Sequence, residues 1–466
     1  MNALPPYDYW EHEHEPIPLS AALKIQRKSK PFGNVPGACC FRITGNDDSK
    51  EYRIQLGYYI GVDWLVEGEN PFIVSPKLDT RREQLEKLLK APEENAPGNE
   101  PPPPLPEGEL LSVDYFAMLG RCLDNEYLYR EIDNLVQIDW KAPEIPIRQS
   151  QDWLSPLLIV KYLNLLRAIV RKGLKKSFYT TTENLQGKVK GKILVGAHLK
   201  QNIVKHRLTR TVCQYQEFGV DTVENRLLHK AFRFACAYLD NHKKLFGSDR
   251  AWFTQLVSYC RPAFEHVGLD VAPADLRHYK PNPLFKEYKD GITLAKQLLK
   301  RYAYSIENTA RETLSTPPYW IDMPKLFELY AYSFLKKRFP AKGEVKYQFS
   351  TYGNALDYLV HSGDIKLVVD AKYKTVFQHH HLHEDMRQLS GYARLEKVAD
   401  QLGLDEAGRE KLIDCLIIYP DIKGGFEDLD FLQWVDGKPA QPVQAIAPYR
   451  RMYKVGICLP KIGDSK

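Results

Sequence analysis

Asp357, Asp370 and Lys372 are the residues whose types and spacing best suit metal-assisted hydrolysis. They lie in Asn354-Ala-Leu-Asp-Tyr-Leu-Val and in Ile365-Lys-Leu-Val-Val-Asp-Ala-Lys-Tyr-Lys. Both stretches read as strands, since apolar and β-branched residues dominate them. Side chains alternate along a strand, so Asp370 and Lys372 share one face. Carboxylates are hard ligands for Mg2+; a bound ion polarises a phosphate and lowers the pKa of a water, and an ammonium supports developing charge. On this reading Asp357 and Asp370 bind metal, and the Ala371 backbone carbonyl adds a ligand. Lys372 orients the attacking water or stabilises the transition state. The triplet alone is weak, because an acid-x-Lys sequence also starts at Asp48, Asp139, Glu287, Glu344, Asp364, Asp421, Asp436 and Asp464. Only the copy at Asp370 closes an aliphatic run, Leu367-Val368-Val369, and follows an acid on the preceding strand.

Further residues fall around this core. Glu328 sits on an expected helix over 323–338, beside the apolar face of Leu326, Phe327, Tyr330, Phe334 and Leu335, and can join the metal shell or support it. Gln388 and Tyr392 are four apart on an expected helix over 383–398 and share a face. They could contact Lys372 or a DNA backbone. Between these elements Gln378-His-His-His-Leu-His383 reads as a solvated loop.

The elements that must position these residues run in the order α-β-β-β-α-β, with strands at 344–350, 355–360 and 365–370, then Cys415–Tyr419 and a late strand from Tyr453. That order predicts a mixed sheet with flanking helices. The whole chain of 466 residues is expected to be of mixed α+β class. The expected division is a β-rich N-terminal domain over 1–150, a basic, mostly helical middle region over 151–315, and a C-terminal α/β domain with a mixed central sheet over 316–466. A Pro-rich segment, 91–107, interrupts the first as a linker or exposed loop. From Lys161 to Tyr215 thirteen Lys or Arg face a single acid, Glu183, a balance that attracts phosphate. Lys188, Lys190 and Lys192 are the candidate DNA contacts there. No apolar run approaches the length of a membrane span, and the N-terminus lacks the pattern of a secretory signal. The scattered cysteines form no zinc spacing and read as reduced thiols, so a cytoplasmic location is expected.

Glu328, Asp357, Asp370-Ala371-Lys372 and Gln388-x-x-x-Tyr392 together resemble the PD-(D/E)xK nuclease superfamily and its Q-x-x-x-Y branch, with Leu356 where a Pro often precedes the first acid. Over roughly 50–460 the chain resembles the McrC family, the nuclease subunits of McrBC-type modification-dependent restriction systems. The residues that carry this are Tyr58-Tyr-Ile-Gly-Val, Ile73-Val-Ser-Pro-Lys, Glu183-Asn-Leu-Gln-Gly-Lys-Val-Lys-Gly-Lys-Ile and Tyr215-Gln-Glu-Phe-Gly-Val-Asp-Thr-Val-Glu-Asn-Arg-Leu-Leu. The resemblance implies an endonuclease subunit that cleaves double-stranded DNA with Mg2+, or Mn2+ in its place. It also implies defence against foreign DNA carrying 5-methylcytosine. The implied partner is an McrB-like hexameric AAA+ GTPase, stimulated by the N-terminal part of this chain. No G-x-x-x-x-G-K-[ST] loop is present, so the chain is not expected to bind nucleotide by that route. The competing readings are a stand-alone RecB-like repair nuclease and an inert DNA-binding or GTPase-regulating adaptor.

Overall fold

Short strands open the chain: β1 (Tyr7–Trp10), β2 (His14–Pro16), β3 (Ser29–Pro31), β4 (Cys39–Asn46), β5 (Glu51–Leu56), β6 (Tyr59–Val66) and β7 (Asn70–Ser75). The computed structural model describes 7–76 apart from 23, 26, 34–36 and 47–50, then 113–123, 131–148, 152–242, 250–272 and 282–301. It further describes 313–374 apart from 352–353, 379–421, and 425–461 apart from 433, 436–437, 440–442 and 448. The Pro-rich 91–107 segment lies outside these residues. Strands β2-β5-β4-β3 form one sheet. Its neighbour has the order β1-β7-β6-β14-β8, where β8 is Val136–Ile138 and β14, Tyr319–Asp322, comes from far along the chain. Phe41, Phe72 and Trp320 pack ring against ring in the core between them. The Trp320 indole N–H donates to Asp63 Oδ2 at 2.9 Å, which satisfies the polar atom of this buried ring.

Strand β9 (Ile145–Arg148) then leads into a second compact unit, Leu154–Lys243 with Asp249–Glu312. It holds α1 (Leu154–Lys172), strands β10 (Ser177–Gln186), β11 (Lys192–Ile193) and β12 (Arg210–Gly219), and helices α2 (Val223–Asn241), α3 (Arg250–Cys260) and α4 (Lys286–Arg301). Helix α1 is buried nearly all round, as its run of Leu, Ile and Val requires. Thr222 caps α2 by accepting the Asn225 N–H at 3.3 Å. Asn225 is buried, and its side chain is satisfied by Val220 O, Lys175 O and the Tyr288 hydroxyl. The strands order β10-β12-β11, with β10 and β12 antiparallel over their full length. Between β11 and β12 the basic stretch winds into helical turns over Val195–His198 and Leu199–Ile203.

The chain returns through β13 (Thr313–Thr316) and β14 (Tyr319–Asp322) to the first unit, which groups Met1–Trp153 and Lys244–Ser248 with Thr313–Lys466. The sequence reading divides 1–150 from 316–466. Contacts join them because β14 lies between β6 and β8, antiparallel to both. The middle unit spans 154–312 where 151–315 was expected.

The last part of the chain is the expected mixed sheet. Helix α5 (Met323–Arg338) starts at Asp322, whose carboxylate accepts the Lys325 N–H at 2.9 Å, and has Pro324 in its first turn and Lys336, Lys337 and Arg338 in its last. Strands β15 (Val345–Thr351), β16 (Asn354–Ser362), β17 (Ile365–Ala371), β18 (Asp414–Asp421), β19 (Gln444–Ala445) and β20 (Met452–Cys458) order β15-β16-β17-β18-β20-β19. The first three are antiparallel; β17, β18 and β20 run parallel. A parallel pair needs a crossover, here α6 (His379–Ala393) and α7 (Glu396–Gln401) between β17 and β18. Met386, Leu389, Tyr392 and Val398 from these helices pack on Leu359, Val368, Cys415 and Ile417 of the sheet. One continuous helix over 383–398 was expected. It breaks at Leu395, which is extended and packs its side chain on the sheet core. The histidines expected in a loop lie in the first turns of α6.

Candidate active site

Strand β16 carries Asp357 and β17 carries Asp370, and the ladder between them pairs Tyr358 with Val369. The next step along both strands brings the two acids side by side. Asp357 Oδ2 accepts the Ala371 N–H at 2.8 Å. Ala371 thus gives its N–H to the site. Asp370 is 4% exposed, and its Oδ2 lies 2.7 Å from Lys372 Nζ. That contact is close but poorly aligned, so Asp370 Oδ2 is a buried oxygen without a hydrogen bond.

The ammonium of Lys372 also donates to Gln388 Oε1 at 3.1 Å, and Gln388 Nε2 donates to the Tyr392 hydroxyl at 2.8 Å. The expected i, i+4 pair on α6 therefore ends on the lysine. Glu328, on α5, is mostly buried and takes a different place. It accepts from Gln348 Nε2 at 3.1 Å and lies 3.6 Å from Lys325 Nζ. Lys188, Lys190 and Lys192 belong to the second unit, where all three are exposed; Lys190 lies over the Tyr215 ring, 3.9 Å from its centre.

Charges are poorly balanced here. Burial pushes the Asp357 carboxyl well above the usual carboxylate range, and the charges of Asp370 and Glu328 add to this against the Ala371 N–H and Lys372. Burial also raises Asp370, against the pull of Lys372. Glu328 is raised by burial as well. Burial alone would lower Lys372, but Asp370 and Asp385 outweigh it and hold the ammonium charged. Two adjacent buried carboxylates, with the charge of Glu328 acting on Asp357 from farther off, invite a cation. The fit to Mg2+ rests on the adjacent Asp357 and Asp370 carboxylates and on Asp370 Oδ2, a buried oxygen that accepts no hydrogen bond and has the Lys372 ammonium beside it. Among the described residues no group of three His, Cys, Asp or Glu side chains converges as a metal site. A metal would therefore be held by two carboxylates, completed by main-chain oxygen and water, as suits Mg2+.

Two residues escaped the sequence reading. Asp385 on α6 is buried, with Oδ2 2.6 Å from Lys374 Nζ and Oδ1 3.9 Å from Lys372 Nζ. An acid on an amphipathic helix ordinarily reads as solvated, and no local signal marks it. Gln348 falls opposite Asp357, because Tyr347 pairs with Tyr358 and Phe349 with Leu356. Its φ is +47°, an uncommon conformation for a residue with a side chain, and it turns that side chain to Glu328.

Fold and site thus define a mixed α+β protein with an acid pair and a lysine at the ends of neighbouring strands. A family model described as McrBC 5-methylcytosine restriction system component matches residues 125–402, well over half of the chain. The chain belongs to that family. A comparison with curated proteins gives no match. Among solved structures the chain is similar to one from a half-complex of a tetradecameric assembly of Thermococcus gammatolerans McrB AAA+ hexamers with bound McrC. That likeness has 15% identity and a TM-score of 0.38, over 98% of this chain and 95% of that one. A cryo-EM structure of the Thermococcus gammatolerans McrBC complex gives 13% identity and a TM-score of 0.27, over 72% and 89% of the two chains. Likenesses this weak carry no weight for the site. No helix among the described residues is long and apolar enough to cross a membrane.

Proposed function

We propose that this chain is the endonuclease subunit of a GTP-dependent restriction complex that hydrolyses DNA containing modified cytosine. The observation that carries the reading is the connected set Asp357, Asp370, Lys372, Gln388 and Tyr392 on adjacent elements, in a chain of a 5-methylcytosine restriction family. Asp357 and Asp370, with the Ala371 carbonyl, would hold Mg2+, and Mn2+ could replace it; Glu328 supports this shell from α5. The ion supplies a polarised phosphate and a more acidic water. Lys372 places an ammonium where negative charge builds on the phosphate oxygens. Gln388, fixed by Tyr392, keeps that ammonium beside the Asp370 carboxylate. The basic arm with Lys188, Lys190 and Lys192 would hold the double-stranded DNA backbone. The partner is a hexameric AAA+ GTPase of the McrB type, which binds the nucleotide and whose hydrolysis this chain stimulates.

The test is cleavage of methylated and unmethylated plasmid with Mg2+, by the chain alone and with the neighbouring AAA+ protein plus GTP. Cleavage only of methylated DNA, only in the full mixture, and absent for Lys372→Ala is the expected result. GTPase stimulation should survive that substitution. Cleavage by the chain alone would favour a repair nuclease, and no cleavage under any condition would favour an inert adaptor.

A further inference from the structure

Sheet bonding ends just where the lysine stands. The Lys372 N–H donates to Ile418 O at 2.9 Å, and two residues on the Lys374 N–H donates to Lys372 O at 3.0 Å in a local turn. Something else must fix the chain direction beyond Lys372. Tyr373, only 6% exposed, is the residue placed to do so. Its ring lies by Phe327 of α5, with centroids 6.2 Å apart, and its hydroxyl donates to Glu11 Oε1 at 2.7 Å.

Glu11 is 2% exposed and follows β1, from the other end of the sequence. Its main chain is firmly held: its own N–H donates to Ser75 O and the N–H of His12 to Gly57 O, both at 3.0 Å. His12 adopts φ +63° and stacks on Tyr58, with ring centroids 4.3 Å apart. The Tyr58 main chain in turn accepts from Met323, the first residue of α5. Glu11 is therefore a fixed post, and Tyr373 is tied to it.

We infer that Glu11 is a positioning residue for Lys372. It acts through Tyr373, and it makes the N-terminal strands part of the catalytic apparatus. The inference rests on the nuclease reading of Lys372. Tyr373 stands between Lys372 and Lys374, so holding its ring and hydroxyl fixes the main chain from which both lysines reach toward Asp385 on α6. With the tie cut, Lys372 keeps its charge and loses its aim. Misplacement of a catalytic group by about 1 Å can cost roughly a hundredfold in rate.

The experiment compares Tyr373→Phe, Glu11→Ala, the double variant and Glu11→Gln in the full chain with its AAA+ partner, GTP and methylated plasmid. The expected result is a fall in kcat of about tenfold or more for each single variant, with KM for DNA unchanged. The double variant should be no worse than either single one, and Glu11→Gln, which keeps an acceptor, should recover most of the rate. Amide hydrogen exchange at Lys372 and Lys374 should quicken in the two single variants and not in Glu11→Gln. A Tyr373→Phe chain that cleaves within twofold of wild type, while Lys372→Ala is dead, overturns the inference. If wild type itself does not cleave, the nuclease reading fails. Exchange then decides alone: unchanged protection at Lys372 and Lys374 overturns the positioning role, and faster exchange upholds it.

Discussion

Asp357→Asn should make the metal-free protein more stable and the Mg2+-treated protein less so. Burial, Asp370 and Glu328 together disfavour the ionised Asp357 carboxyl. Asparagine has the same shape, and its carbonyl can accept the Ala371 N–H that Oδ2 now takes at 2.8 Å. Holding this carboxyl ionised in its buried place works against folding near neutral pH, and the uncharged amide removes that cost, so the variant should be the more stable of the two in EDTA. On the other side stands metal linkage. With a Kd of about 1 mM, ~10 mM Mg2+ stabilises the wild type by about 1.4 kcal/mol through RT ln(1 + [L]/Kd). The variant has lost a ligand and should gain almost nothing. The ranking in EDTA should therefore narrow or reverse in Mg2+. Urea unfolding followed by tryptophan fluorescence, with EDTA and with Mg2+, measures both arms. A variant that is less stable than wild type in EDTA, or that keeps the full Mg2+ effect, refutes the reasoning.

Three other substitutions probe separate parts of the chain. Gly61→Ala would set a Cβ 2.0 Å from the Tyr319 carbonyl oxygen, where no side chain can give way, so β6 and β14 must part and the loss should exceed about 3 kcal/mol in urea melts. Replacing Lys188, Lys190 and Lys192 together by Ala should weaken DNA binding equally across sequences. It should also reduce the slope of log K against log salt by about 1 per lost phosphate contact; an unchanged slope would remove them from the DNA interface. Asp221 is held below the usual range chiefly by the Arg226 hydrogen bond, and Glu224 ends below it because Lys175 outweighs burial. Their stabilising effect is complete above the unfolded pKa values of about 4 and is lost as pH falls through the lower folded values. Asp221→Asn should therefore melt lower at pH 7 and show a flatter acid limb, which thermal scans between about pH 3 and 7 will read.

What the sequence disclosed and what it concealed divide along local and non-local lines. Helix α5 was legible because Leu326, Phe327, Tyr330, Phe334 and Leu335 repeat at helical spacing, and all five are buried. Asp357, Asp370 and Lys372 were legible because an aliphatic strand ends in a charged pair, which has few structural uses. Asp385 and Glu11 were hidden, since each owes its role to a partner brought by tertiary packing, Lys374 for one and Tyr373 for the other. The helix break at Leu395 was hidden too, with neither Gly nor Pro beside it to stop α6. The joining of the chain ends was hidden for the same reason. Tyr319-Trp-Ile-Asp is a short apolar strand after Pro317-Pro318, and nothing in it names β6 and β8 as neighbours.

That joining leads to one more expectation. Strands β9 and β13 pair antiparallel, Arg148 opposite Thr313 through to Ile145 opposite Thr316. The chain thus leaves the first unit and re-enters it on adjacent strands, and everything from Leu154 to Glu312 apart from Lys244–Ser248 belongs to the second unit. Adjacent antiparallel strands can be closed by a turn of a few residues. Replacing 149–312 by a short Asn-Gly turn should leave the first unit folded, since its sheets and the Asp357, Asp370, Lys372 and Glu11 contacts all lie outside the deleted stretch. The shortened protein should keep the stabilisation by Mg2+, shown by the same urea melts, and should lose the salt-dependent DNA affinity assigned to Lys188, Lys190 and Lys192. If the shortened protein is soluble and cooperative but indifferent to Mg2+, the metal assignment to Asp357 and Asp370 fails. If it binds DNA as tightly as the full chain, the basic arm is not the DNA contact, and that role passes to the first unit.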